Sequence, residues 1–230
     1  MRLILFAALV GGAALATAAS AAERGYPITG FAAVALDGVD DVDVHVGPGF
    51  SVRAEGDAAV LDDLDIRRER DTLHVGRKHR VIGWSGQRGR AHVVVTLPAL
   101  HAARLAGTGA LRVDQVSGPR FDASLSGTGT LSVDRLTVRE AVLDASGTGT
   151  IRVAGSVERL RIGDSGVGNI DARGLRAATA DVSASGTGNV VAQVTGPARV
   201  SLSGMGSVDL GPAARCTVAK SGFGSVRCGR

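Results

Sequence analysis

The chain has 230 residues, 33 of them glycine, but only one Trp, one Tyr and five Phe, with a formal net charge of +4. So mild a charge, with no basic face interleaved by aromatics, argues against nucleic acid as a partner. So few rings also exclude an aromatic core, leaving Val, Leu, Ile and Ala to fill thin layers.

Residues 1–21 read as a secretory signal peptide: Arg2, an apolar run from Leu3 to Leu15, and Ala19-Ser20-Ala21 as a small-residue cleavage site. The run is short for a membrane span, which needs about 20 apolar residues. Nothing later in the chain approaches one, so the mature chain is expected to be exported without a transmembrane segment. Residues 22–30 form a short linker, followed by one domain over 31–230.

The first part of that domain, 31–100, reads as irregular strands. Phe31–Leu36 is a strand, then an Asp37-Gly38 turn. Val42, Val44 and Val46 alternate with Asp41, Asp43 and His45 in a half-buried strand. Gly47-Pro48-Gly49 turns, and Phe50–Ala54 is again a strand. Val60, Leu61, Leu64 and Ile66 fit a short helical turn or a strand equally well. Thr72–Val75 and Ala91–Leu97 are strands.

Between the last two lies 76–90, which carries Arg77, Lys78, Arg80, Arg88 and Arg90, the only Trp (Trp84) and no acid. Two readings stay open. One is a solvated loop with Trp84 folded back as a plug. The other is a contact loop for an anionic partner: an envelope component, an acidic glycan, a lipid headgroup or a protein. The five histidines, His45, His74, His79, His92 and His101, all fall in this half without metal-ligand spacing. Asp40, Asp41 and Asp43 form an acidic cluster, with Asp40 on the other strand parity.

From 105 to 230 the chain repeats. Gly-x-Gly recurs at Gly107, Gly127, Gly147, Gly166, Gly186, Gly204 and Gly222, at steps of 20, 20, 19, 20, 18 and 18 residues. Four residues after each first glycine comes an aliphatic: Leu111, Leu131, Ile151, Ile170, Val190, Val208 and Val226. Apolar positions also recur two and four residues before it. Spacing of two in a fixed frame is strand periodicity, and a 20-residue period is too short for a propeller blade. The pattern predicts an all-β chain, a parallel β-helix or solenoid with about 20 residues per coil. A hairpin-built sandwich is the runner-up. The glycines are expected where the chain bends or coils approach closely, with second turns at Asp134-Arg135, Ala154-Gly155, Arg173-Gly174, Gly196-Pro197 and Gly211-Pro212. The repeats lack the lysine and helix of a phosphate cradle and the aspartate ladder of a calcium repeat. No cofactor, metal or catalytic constellation is therefore expected. Cys216 and Cys228 straddle the last Gly-x-Gly, and in an oxidising compartment they are expected to staple the exposed end of the stack.

The opening Phe31–Val44 (Phe-x-x-Val-x-Leu-x-Gly-Val-x-Asp-Val-x-Val) resembles a known family. So do Gly47–Gly56, Asp71-Thr72-Leu73-x-Val75, Val93–Pro98 and the Ser-Gly-Thr-Gly repeats. Together they are similar to the putative auto-transporter adhesin head GIN domain family of bacterial exported proteins. The resemblance implies a right-handed β-helix-like solenoid and a cell-envelope location, and supplies no catalytic motif. The expected function is non-enzymatic, adhesin-like surface binding. A polysaccharide-active β-helix enzyme and a purely structural envelope element are the alternatives.

Overall fold

A computed structural model describes residues 22–78 and 89–229; the leader expected over 1–21 lies outside them. The regular part is a parallel β-solenoid of about six turns, roughly 20 residues per turn. Its strands follow directly from the period-two aliphatics. After β1 (Ala22–Gly25), β2 (Ala33–Leu36) and β3 (Asp41–Val46) come β4 (Ser51–Gly56), helix α1 (Ala58–Asp63) and β5 (Leu64–Glu69). Then follow β6 (Thr72–Arg77), β7 (His92–Leu97), β8 (Ala102–Leu105) and β9 (Ala110–Val113). Three long strands come after β10 (Val116–Leu125): β11 (Thr130–Ala145), β12 (Thr150–Asp164) and β13 (Asn169–Ala184). The chain closes with β14 (Asn189–Val194), β15 (Pro197–Leu202), β16 (Ser207–Asp209), β17 (Arg215–Lys220) and β18 (Ser225–Arg227).

The arms before each Gly-x-Gly stack in parallel: β2, β8, the second half of β10, the ends of β11, β12 and β13, then β15 and β17. The arms after it stack likewise, from β3 and β9 to β16 and β18. A short third face joins Val116, Leu136 and their successors in β12 and β13. Three of the expected second turns are not breaks. At Asp134-Arg135, Ala154-Gly155 and Arg173-Gly174 the strand assignment runs on, and the bend appears as a register shift. Pairing with the next coil lapses for a residue or so at the bend and resumes beyond it.

Residues 22–78 and 89–100 are more regular than their sequence suggests. β2 and β3 form a full layer of the stack, with Gly38-Val39-Asp40 as its corner. β6 and β7 lie in parallel on one side of that layer, β8 and β9 on the other. The segment 78–91 thus stands in the chain where β2–β3 and β8–β9 are joined by four residues. The stack is then closed by antiparallel strands: β5 on β6, β4 on β7, and β1 on β4. Residues 22–25, expected as linker, are therefore the outermost strand of this end. The undecided run 60–66 splits into α1, which buries Val60 and Leu61, and the start of β5.

Inside, the column Leu111, Leu131, Ile151, Ile170, Val190 and Val208 is fully buried, and Phe121 fills one early coil. The last layer is less covered: Val226, Cys216 and Cys228 are partly buried. Cys216 and Cys228 are bonded, with Cα atoms 6.1 Å apart. Closing so short a loop stabilises by about 3 kcal/mol.

The corner glycines are required by close approach. Except at Gly222, no glycine of the seven Gly-x-Gly corners has positive φ, so of the two grounds expected from the sequence it is close approach of the coils that selects them. A Cβ on Gly147 would lie 2.0 Å from the Gly127 carbonyl oxygen, and one on Gly127 would lie 1.9 Å from that of Gly107. Gly163 differs: the atom in the way is Oδ1 of Asp144, the end of a movable side chain. We expect Gly147→Ala to cost about 3 kcal/mol or more, and Gly163→Ala to cost less than about 1 kcal/mol, in chemical denaturation. Equal costs would show that backbone contact does not select the corner glycines.

Candidate functional site

Residues 76–90 are the sequence's sharpest candidate, and the structure shows how their roots are held. Asp40 begins the parity that points inward, so it is completely buried. A buried carboxylate needs partners, and three hydrogen bonds come from Arg77 and Ala91, at the two ends of the basic segment. Arg77 Nε donates to Asp40 Oδ2 at 2.7 Å, Arg77 Nη2 donates to Oδ1, and the Ala91 N–H donates to Oδ1 at 2.8 Å. Arg77 Nη2 also reaches the Gly89 carbonyl at 3.1 Å. This pairing, chiefly the hydrogen bond to Asp40, pushes Arg77 above the ordinary arginine value. One aspartate therefore ties the entrance of the segment to its exit.

Two other cations are also engaged. Lys78 Nζ donates to the Asp62 carbonyl at 2.7 Å, and Arg90 Nη1 lies 3.4 Å from Asp41 Oδ1. Arg80, Trp84 and Arg88 lie outside the described residues. Of the six side chains singled out, Arg77, Lys78 and Arg90 thus serve as anchors of the segment. The sequence shows their charge but not the groups that meet them, which lie 12 to 49 residues away along the chain.

The histidines do not converge. His45, His74, His92 and His101 face four different aspartates: Asp114 (3.3 Å), Asp37 (3.1 Å), Asp43 (2.8 Å) and Asp71 (3.3 Å). His79 lies outside the described residues. Asp40, Asp41 and Asp43 are likewise divided among Arg77, Arg90 and His92. Among the described residues no group of three or more His, Cys, Asp or Glu is placed to hold a metal ion. No described helix is long and apolar enough to cross a membrane.

The repeats present two outer surfaces. On the pre-corner sheet, small outward residues (Gly163, Ser183, Ser201, Ala219) floor a shallow groove of about 560 Å³. Its two arginines are paired along the stack, Arg161 with Glu140 at 2.9 Å and Arg199 with Asp181 at 3.7 Å. The second surface is the crest made by the middle residues of the corners. Thr108, Thr128, Thr148 and Thr187 stand exposed there, and so do Val39, Val167, Met205 and Phe223. The sequence displays the last three only as interruptions of a threonine ladder. Among the described residues, most of the exposed large apolar side chains are on this crest, which depends on the corners being stacked outward.

Asp164 was also hidden. It occupies the inward position two residues before Gly166, where neighbouring coils carry Leu125, Ala145, Ala184 and Leu202. It is 3% exposed. Its Oδ1 accepts from the Gly166 N–H at 3.1 Å, and its Oδ2 has no hydrogen-bond partner. Burial raises its pKa, partly offset by the Gly166 bond.

The sequence profile of the family described as "Putative auto-transporter adhesin, head GIN domain" matches residues 30–211, and the chain belongs to that family. Its fold is similar to that of a putative adhesin from Bacteroides fragilis, with TM-score 0.83 and 18% identity, covering 92% of this chain and 98% of that one. It is also similar to a putative lipid binding protein from Parabacteroides distasonis (TM-score 0.71, 16% identity, 92% and 97% covered). A putative adhesin from Parabacteroides merdae is similar too (0.68, 16%, 92% and 97%). No curated protein matches in sequence.

Two outcomes follow from the buried carboxylates. Asp40→Ala should cost about 3 kcal/mol in denaturant unfolding, since it strands Arg77 and the Ala91 N–H. Asp40→Asn, which keeps an acceptor for Ala91, should cost less. Asp164 has the opposite sign. Its folded pKa is raised, so its favourable contribution is present below the unfolded aspartate value and lost as pH rises through the folded one. Asp164→Ala, the residue of two neighbouring coils, should be the more stable protein at neutral pH by about 1 kcal/mol. The gap should narrow in acid. A gap that widens in acid would contradict the assignment.

Proposed function

We propose that this member of the head GIN domain family is an exported, non-enzymatic protein of the cell envelope that acts by binding. Its partner is an anionic envelope component, glycan or protein, and residues 76–90 form one contact. The observation that carries the reading is the Asp40 clamp. Both roots of a basic, tryptophan-bearing segment are fixed to one buried group, and segments presented from a rigid scaffold are suited to recognition. Arg77, Lys78 and Arg90 hold the roots, which leaves Arg80, Trp84 and Arg88 for a partner. The division of the clustered carboxylates among separate bases favours binding over acid–base chemistry, which needs carboxyl groups of differing protonation at one place. The adhesin names of similar structures point the same way. The leader-like residues 1–21 support export.

The test is retention on isolated envelopes at physiological ionic strength. Replacing Arg80, Trp84 and Arg88 by serine should reduce retention about tenfold, in the range of a small cluster of interface anchors, without changing the unfolding midpoint. Unchanged retention would remove the segment from the binding surface.

A further inference from the structure

We propose that the C-terminal end of the solenoid docks on an anionic lipid bilayer, with Phe223 and Met205 entering the interface and Arg215, Lys220 and Arg227 facing the phosphates. This site is separate from residues 76–90 and does not depend on the function proposed for them.

The crest changes character along the stack. Its middle coils carry threonine, with Val167 63% exposed among them; its last two carry Met205, 68% exposed, and Phe223, 95% exposed. Adjacent coils are about 4.8 Å apart, so the thioether and the ring are neighbours. In the same last coil Val218, whose counterparts Val182 and Val200 are buried, is 44% exposed. Scattered apolar side chains need no explanation, but a contiguous group does.

The charge of the same end points to what covers it. From Leu210 to Gly229 there are three basic residues, Arg215, Lys220 and Arg227, and no acid. Elsewhere on the described surface some arginines (Arg90, Arg120, Arg161) sit against carboxylates and others (Arg104, Arg112) do not, so the distinction of this end is its acid-free run. Here, among the described residues, Arg215 and Lys220 form no ion pair, and Arg227 makes only a 3.7 Å approach to Asp209. Self-pairing of the free edge fits poorly. Antiparallel pairing of β17 with its copy sets Arg215 against Lys220, and like charges directly opposite are unfavourable. A bilayer meets both demands at once. Aromatic and thioether groups enter the boundary of headgroups and chains, while lysine and arginine stay at the phosphates.

The test uses the mature full-length protein and sedimentation with vesicles. Vesicles of equal parts phosphatidylglycerol and phosphatidylcholine should bind it at least about tenfold more strongly than phosphatidylcholine alone, and salt should weaken the binding. Phe223→Ser with Met205→Ser should lower partitioning about tenfold at an unchanged melting temperature, since both side chains face solvent. Arg215→Glu with Lys220→Glu should do the same by charge. The Arg80, Trp84 and Arg88 variant should bind as wild type. The proposal is overturned if the wild type ignores anionic vesicles or binds both kinds equally. It is also overturned if the Phe223/Met205 variant binds as wild type, or if the loss falls instead on the Arg80/Trp84/Arg88 variant. Light scattering that shows a dimer abolished by the Phe223/Met205 substitutions would assign the end to a second copy and overturn it too.

Discussion

The structure depends on one shared acceptor repeated from coil to coil. The carbonyl of a first corner glycine points along the stack; in the early coils it meets two N–H groups of the next coil, and at Gly166, Gly186 and Gly204 it meets one. Gly107 accepts from Thr128 at 3.1 Å and Gly129 at 3.3 Å; Gly127 accepts from Thr148 and Gly149; Gly147 accepts from Val167 and Gly168. Such a corner leaves few buried backbone groups unpaired, but it brings the backbones too close for a Cβ. The glycine column and the hydrogen-bond column are the same constraint seen from two sides. Because the corner is fixed in space, the residues two and four away are fixed as inward, and the aliphatic columns follow.

The same constraint explains how the N-terminal part joins the stack without repeating its motif. Gly38 supplies the acceptor for Thr108 and Gly109 at 3.0 and 3.3 Å, so one glycine in the right place is enough to seat the first regular coil. The second corner position needs no glycine there, because only the Asp40 carbonyl lies against Gly109 and the side chain turns away to Arg77. A carboxylate could then be buried at the base of the layer, and the next corner outward could open into a long segment tied to it. Asp164 shows what happens when a polar group enters the regular part instead. Its neighbours repeat a fixed frame, so nothing arrives to satisfy its second oxygen.

Much of this was legible in the sequence because the signal was repeated. Seven corners at near-equal steps, with even-offset aliphatics, specify coil length, strand direction and inward columns. What was not legible depends on single contacts between distant residues. Arg77, Lys78 and Arg90 read as free charge because Asp40, Asp41 and the Asp62 carbonyl come to them only through stacking. Val167, Met205 and Phe223 read as lapses in a threonine ladder, since sequence fixes their register but not the exposure of the crest. Residues 31–100 read as irregular because their two layers enter the stack out of chain order. β2 and β3 lie between β6–β7 and β8–β9, and no local periodicity reports that.

A parallel stack must also end, and its two ends are treated differently. Open strand edges invite pairing with other chains. At the N-terminal end β4, β5 and β1 reverse direction and cover the last parallel layer, with α1 packed between them. At the other end β17 and β18 keep the parallel direction, and the only covalent reinforcement is the Cys216–Cys228 bond. That bond restrains the final corner without hiding its edge, its exposed Val218 or its unpaired cations. If the end served only to stop the stack, charge of both signs or a reversed strand would suffice, as at the opposite end. Keeping it ordered, apolar and positive is costly for an isolated molecule and useful for one that meets an anionic surface.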